Sequence, residues 1–194
     1  MELLKKKIIE DGRILEGNIL KVDNFLNHQL DIGLLNEIGK EFKKIFSHKK
    51  ITKILTAEVS GIAIAAIAAQ YFDVPVVFAK KTESKNLDQE TYEGSVYSYT
   101  KGKYYKIRVS KRYISKEDHI LIIDDFLANG QAILGLKEVV DASGANLVAA
   151  GVVIEKGFQE GGKILREANL EVHALATIDA MVNGKVVFRN HEQY

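Results

Sequence analysis

The sequence predicts an α/β fold with a mostly parallel central sheet and flanking helices. Three observations predict it. Apolar runs of strand length alternate along the chain with segments of helical periodicity. The runs at 119–123 and 146–154 are almost continuously apolar, as strands are when both faces of a sheet are covered. The 194 residues contain one proline, Pro75, and no Gly/Ser-rich linker, so a single domain over 1–194 is expected, large enough to bury a core.

The elements follow in order. Lys5-Lys6-Lys7 lies between Leu3-Leu4 and Ile8-Ile9 and reads as the solvated face of a short helix. Leu34, Leu35, Ile38, Phe42, Ile45 and Phe46 recur at helical spacing, which predicts an amphipathic helix over 32–47. Residues 51–56 read as a strand entering Glu58-Val59-Ser60-Gly61, and Ile62 to Tyr71 as a helix apolar nearly all round, hence buried. A strand over 74–79 comes next, then a polar stretch without periodicity over 82–93, expected to be a loop. Residues 95–100 and 104–109 alternate about Gly102 and predict a hairpin. His119–Ile123 is a strand, and Gln131–Ala142 a helix stopped by Gly144. Strand 146–154, helix 161–168 and strand 170–178 complete the chain. In such sheets ligands sit at the carboxyl ends of the strands, on the loops that follow.

Composition narrows the function classes. A net charge of +1 supplies no excess of cations for a nucleic-acid backbone. With no cysteine there is no disulfide, thiol catalysis or thiolate-bound metal. No stretch resembles a signal peptide or a membrane span, so a cytoplasmic protein is expected.

The most informative segment is Leu121-Ile-Ile-Asp-Asp-Phe-Leu-Ala-Asn-Gly-Gln-Ala132. An apolar strand delivers two adjacent carboxylates, and a short loop of small residues then opens a helix. The backbone N–H groups of Ala128, Asn129, Gly130, Gln131 and Ala132 can converge at that helix start, where unpaired amides and the helix dipole suit a phosphate. Gly130 admits torsions or a close ligand approach that a Cβ would block. Asp124 and Asp125, which when ionised only accept, suit a polyhydroxyl ligand or hydrated Mg²⁺. The acid pair alone would read as solvated turn chemistry; the whole string, strand before and helix after, does not.

This string resembles the PRPP-binding signature of the type I phosphoribosyltransferases, with Asn129 and Ala132 at positions where that signature commonly has Thr. Leu20–Gln29, Val74–Lys81 and Val153–Phe158 resemble purine-salvage members of the same family. The resemblance implies that family's fold, with the hairpin as a flexible loop, residues 1–30 as an N-terminal hood over the base, and a homodimer. It assigns Asp124 and Asp125 to catalysis, through the ribose hydroxyls and Mg²⁺, and 128–132 to the 5-phosphate. Ser60, Gly61 and Lys81 are assigned to the pyrophosphate, although a capping turn and a solvated strand end would read the same way. Lys156 is placed on the exocyclic oxygen of a purine, with Asn27 and Leu20 as further base contacts. Phe158 either stacks on the base or is an ordinary core aromatic. An ammonium donates to a C6 carbonyl and repels a C6 amino group, so 6-oxopurines are expected and adenine is not. The Glu that adenine-specific relatives carry near Thr100 is absent, and no general acid or base is named.

Together these readings anticipate an Mg²⁺-dependent enzyme joining xanthine to the ribose 5-phosphate of PRPP, giving xanthosine 5′-monophosphate and diphosphate. A guanine- or hypoxanthine-preferring enzyme is the near alternative. A PRPP-sensing regulator is the distant one, for which the sequence offers neither an added DNA-binding domain nor a basic face.

Overall fold

The computed structural model describes residues 1–16, 19–81, 90–99 and 102–189. Most of the polar stretch 82–93, together with Thr100, lies outside the described residues.

The chain begins with helix α1 (Glu2–Asp11), a short antiparallel pair β1 (Arg13–Leu15) and β2 (Ile19–Lys21), and a single π-helical turn over Asp23–Asn27. Helix α2 (Ile32–Ile45) starts where the Asp31 side chain accepts a hydrogen bond from the Leu34 amide at 3.0 Å. Then come β3 (Lys53–Ala57), α3 (Ser60–Phe72) and β4 (Val76–Ala79). The hairpin is β5 (Thr91–Ser98) and β6 (Lys103–Ser110), followed by a 3₁₀ turn at Lys111–Tyr113. The remainder is β7 (His119–Leu127), α4 (Gln131–Ser143), β8 (Asn146–Lys156), α5 (Gly161–Glu167), β9 (Val172–Val182) and β10 (Lys185–Phe188).

Six strands form the central sheet in the order β10-β9-β8-β7-β3-β4, parallel throughout except for the antiparallel edge strand β10. Both faces are covered, which is why β7 and β8 are apolar without alternation. On one face α1, α2, α3 and the N-terminal segment pack Leu4, Ile8, Phe25, Ile38 and Phe42 against Leu121, Ile123 and Val153. On the other, α4, α5 and the hairpin pack Leu136, Val139, Leu165, Val96 and Ile107 against Ile120, Ile122 and Val152.

The elements agree with the sequence reading, and their ends differ. Strand β7 continues through Asp124 and Asp125 to Leu127, because its pairing with β8 persists past the apolar run (Phe126 opposite Ile154, Leu127 opposite Glu155). The acids therefore stand on the strand's last turns of pleat and not in the loop beyond. Lys156 is likewise the last residue of β8, and Thr91–Glu93 belong to β5. Strand β10 and the two three-residue strands of the N-terminal segment have no counterpart in the sequence reading.

Candidate active site

The carboxyl ends of β3, β7 and β8 meet at Asp124 and Asp125. Asp124 is buried at 7 % exposure, and its Oδ1 accepts from the Asp125 amide at 3.0 Å. Burial, then the neighbouring Asp125 charge, pushes the Asp124 carboxyl well above the ordinary carboxylate range, against an opposing pull from Lys81. Asp125 is more open: its Oδ1 accepts from the Phe126 amide at 2.9 Å and its Oδ2 from Asn27 Nδ2 at 3.0 Å.

A cavity of about 190 Å³ opens beside the acid pair, walled by Glu58 to Gly61, Lys81, Tyr105 and Phe126. The Lys81 amide donates to Glu58 Oε1 at 2.5 Å, so the segment after β3 and the end of β4 are tied together. Gly61 has to be glycine for a steric reason. A Cβ there would lie 2.0 Å from Thr56 Oγ1 and 3.2 Å from Asp124 Oδ1. Thr56 Oγ1 is itself buried, with no hydrogen-bond partner among the described residues. The Glu58–Val59 peptide is cis.

A second cavity of about 260 Å³ abuts the first, sharing Tyr105, Phe126 and Ala132, and is floored by Ala128, Asn129, Gly130 and Gln131. Gly130 sits at φ +75° immediately before α4, so the loop turns its amides to the start of a 13-residue helix. The loop is braced from behind by α5: the Gly161 amide donates to Ala128 O at 3.0 Å.

The residues expected to meet a base are gathered unevenly. Asn27 reaches Asp125, and Lys156 Nζ stands 5.7 Å from the centroid of Phe126, whose ring lines both cavities. Lys156 is half-buried, and that burial lowers its ammonium pKa. The Leu20 side chain is in the core at 6 % exposure, which leaves its backbone for any contact. Phe158 is not a core aromatic: it is 42 % exposed and lines a separate cavity of about 600 Å³ with Glu155, Gln159 and Arg166. Sequence reasoning missed Tyr105 and Phe126, which face both cavities, and Gly161. Phe126 carried a readable signal, lying inside the acid-pair string; Tyr105 and Gly161 carried none.

Residues 23–166 match the model of the phosphoribosyl transferase domain. The chain is 70 % identical over 190 residues to a xanthine phosphoribosyltransferase of Alkaliphilus metalliredigens, covering 98 % of this chain and 94 % of that one. It is 63 % identical to a xanthine phosphoribosyltransferase of Ruminiclostridium cellulolyticum, covering 97 % and 99 %. Among solved structures, an adenine phosphoribosyltransferase of Rhodothermus marinus superposes with a TM-score of 0.74 at 21 % identity, covering 92 % of this chain and 100 % of that one. The enzyme of Giardia lamblia complexed with 9-deazaadenine does so at 0.75 and 18 %, covering 91 % and 98 %; these two likenesses speak to the fold alone. With the acid pair, the helix-start loop and the domain match in agreement, the chain belongs to the phosphoribosyltransferase family.

Proposed function

We propose that this chain transfers the ribose 5-phosphate of PRPP to xanthine, releasing diphosphate and forming xanthosine 5′-monophosphate. The observation that carries the reading is the continuity of Asp124-Asp125 with the loop 128–132: two acceptors for ribose hydroxyls lie one short turn from amides poised for a phosphate. The 5-phosphate rests on 128–132 and the pyrophosphate near Ser60, Gly61 and Lys81. The base lies between Asn27 and Lys156, its C6 oxygen taking a hydrogen bond from the ammonium. Burial makes that ammonium costly until a carbonyl oxygen meets it, which favours a 6-oxopurine over adenine.

Positive charge develops on the ribose ring as diphosphate leaves, and the role proposed for Asp124 and Asp125 is to stabilise it. Asp124 and Asp125, as carboxylates beside the cavity, are the residues that would hold Mg²⁺ brought in with PRPP. When bound, it offsets charge on the leaving group. The rest of the acceleration is positioning. The working unit is taken to be a homodimer, which sedimentation velocity tests.

The deciding experiment measures diphosphate release from Mg²⁺ and PRPP with xanthine, guanine, hypoxanthine and adenine. Release fastest with xanthine and absent without Mg²⁺ is expected. A preference for guanine or hypoxanthine would overturn the base assignment, and no release with any base would overturn the enzyme.

A further inference from the structure

Helix α5 is seven residues long and opens on Gly161-Gly162, so its own backbone cannot hold it in place. What holds it is tertiary. Leu165 is buried at 0 % exposure. The next residue, Arg166, reaches Glu155 near the end of β8, donating from Nη1 to Oε1 at 3.1 Å and from Nη2 to Oε2 at 3.0 Å. This is the two-bond fork of a guanidinium on a carboxylate. Thr177 of β9 donates to the same Oε2 at 3.4 Å. Glu155 is 3 % exposed and Arg166 46 %, so the carboxylate is the buried end of the pair and the guanidinium the open one.

The two glycines show what the pair presses on. A Cβ at Gly162 would collide with Glu155 Oε1, and a Cβ at Gly161 with Ala128 O. The start of α5 is therefore a wedge one backbone thick, with the Glu155 carboxylate on one side and the loop before α4 on the other. The Gly161 amide fastens the loop side by its bond to Ala128 O. Glu155 also stands opposite Leu127 in the β7–β8 ladder, so strand pairing and wedge meet at the residue that precedes the loop.

The base side of β8 is separate. Successive side chains of a strand point to opposite faces, and Lys156 turns its ammonium to the Phe126 ring, which packs on the α2 and α3 side. Glu155 faces α5 instead. A change at Glu155 or Arg166 thus reaches the loop before it reaches Lys156.

Resting on the proposed function, we infer that the Glu155–Arg166 pair sets how closely α5 presses on loop 128–132, which makes both of them positioning residues for PRPP. They act at one remove, through Gly161-Gly162 and Ala128. Amides hold a phosphate well only while they converge on one point, and the wedge keeps them converged. With the fork broken, α5 backs away and the loop loses its support.

The test measures KM for PRPP, KM for xanthine, kcat and the urea-unfolding midpoint in Glu155→Gln, Arg166→Ala and Arg166→Lys. Glu155→Gln keeps the shape of the side chain but offers one acceptor oxygen, and it leaves Arg166 to water. Its KM for PRPP should rise about five-fold or more, with KM for xanthine within about two-fold of the unmutated chain. Arg166→Ala leaves a buried carboxylate without its cation, so it should raise KM for PRPP further and lower the unfolding midpoint. Arg166→Lys restores a cation and one bond, and should recover part of both. An unchanged KM for PRPP in Glu155→Gln would overturn the inference. So would equal rises for the two substrates, or a lowered midpoint with both constants unchanged, since either result leaves the pair as a prop of the fold alone. Arg166→Lys no better than Arg166→Ala would show that contact with Glu155 is not what holds the loop. Absence of turnover by the unmutated chain with every base is a separate result, which would overturn the proposed function and this inference with it.

Discussion

Asp124 is a carboxylate held where ionisation is costly. It is buried, it adjoins the charge of Asp125, and Lys81 offsets only part of this. Its folded pKa stands well above the ordinary carboxylate value, so between the two the folded chain holds a proton that the unfolded chain has released. Stability of the ligand-free protein therefore falls as pH rises through that window, and the contribution is fully present only below it. Asp124→Asn removes this titration with little change of shape. The ligand-free variant should melt above the parent at alkaline pH, with the difference closing as pH is lowered through the window. Calorimetry across pH checks this; a difference that stays constant would show that Asp124 does not titrate as its surroundings require. Under the proposed function the same variant should also be crippled in turnover, because it removes a carboxylate proposed to face the ribose.

Helix α5 illustrates how an element behind the loop 128–130 shapes the site. A Cβ on Gly161 would lie 2.3 Å from Ala128 O and 2.5 Å from the Gly130 amide nitrogen, so the helix start and the loop before α4 are in backbone contact. Gly161→Ala must push the loop away. It should cost on the order of 1–3 kcal/mol in guanidinium unfolding and raise the KM for PRPP more than that for xanthine. Equal change in both constants would argue that the loop does not hold PRPP. In sequence Gly161 reads only as a helix start, since nothing in its neighbourhood reports that Ala128 lies against it. The acid pair and its loop were legible because strand, acceptors and amides follow one another within twelve residues, each with its own chemistry. Strand ends were not: apolarity reports burial, and β7 and β8 go on pairing after burial stops being uniform. The pairs at Arg13–Leu15 and Ile19–Lys21 are too short to show a period, and the bond from Asn27 to Asp125 has no local trace at all.

Across the whole molecule, the two faces of the sheet support different halves of the proposed site. The N-terminal segment that carries Asn27 belongs to the core on the α2 and α3 side. Leu4 and Ile8 of α1 and Phe25 and Leu26 of the π turn pack there with Leu175 and Ile178 of β9. The terminal ammonium of Met1 donates to Leu175 O at 2.5 Å, closing the start of the chain onto its later strands. The core on the opposite face seats α4, which follows the loop proposed to hold the 5-phosphate, through Ile133, Leu136, Val139 and Val140. Two truncations of comparable burial therefore separate the halves. Ile8→Ala and Leu136→Ala each empty a side-chain site at 1 % and 0 % exposure, and each should cost about 2–5 kcal/mol in chemical unfolding. Their kinetic signatures should differ. Ile8→Ala loosens the N-terminal segment proposed to cover the base and should raise the KM for xanthine more than that for PRPP, whereas Leu136→Ala should do the reverse. Steady-state kinetics at a temperature where both variants remain folded decides it: matched loss in both constants for both variants would mean that the sheet transmits the damage and the two faces do not act independently.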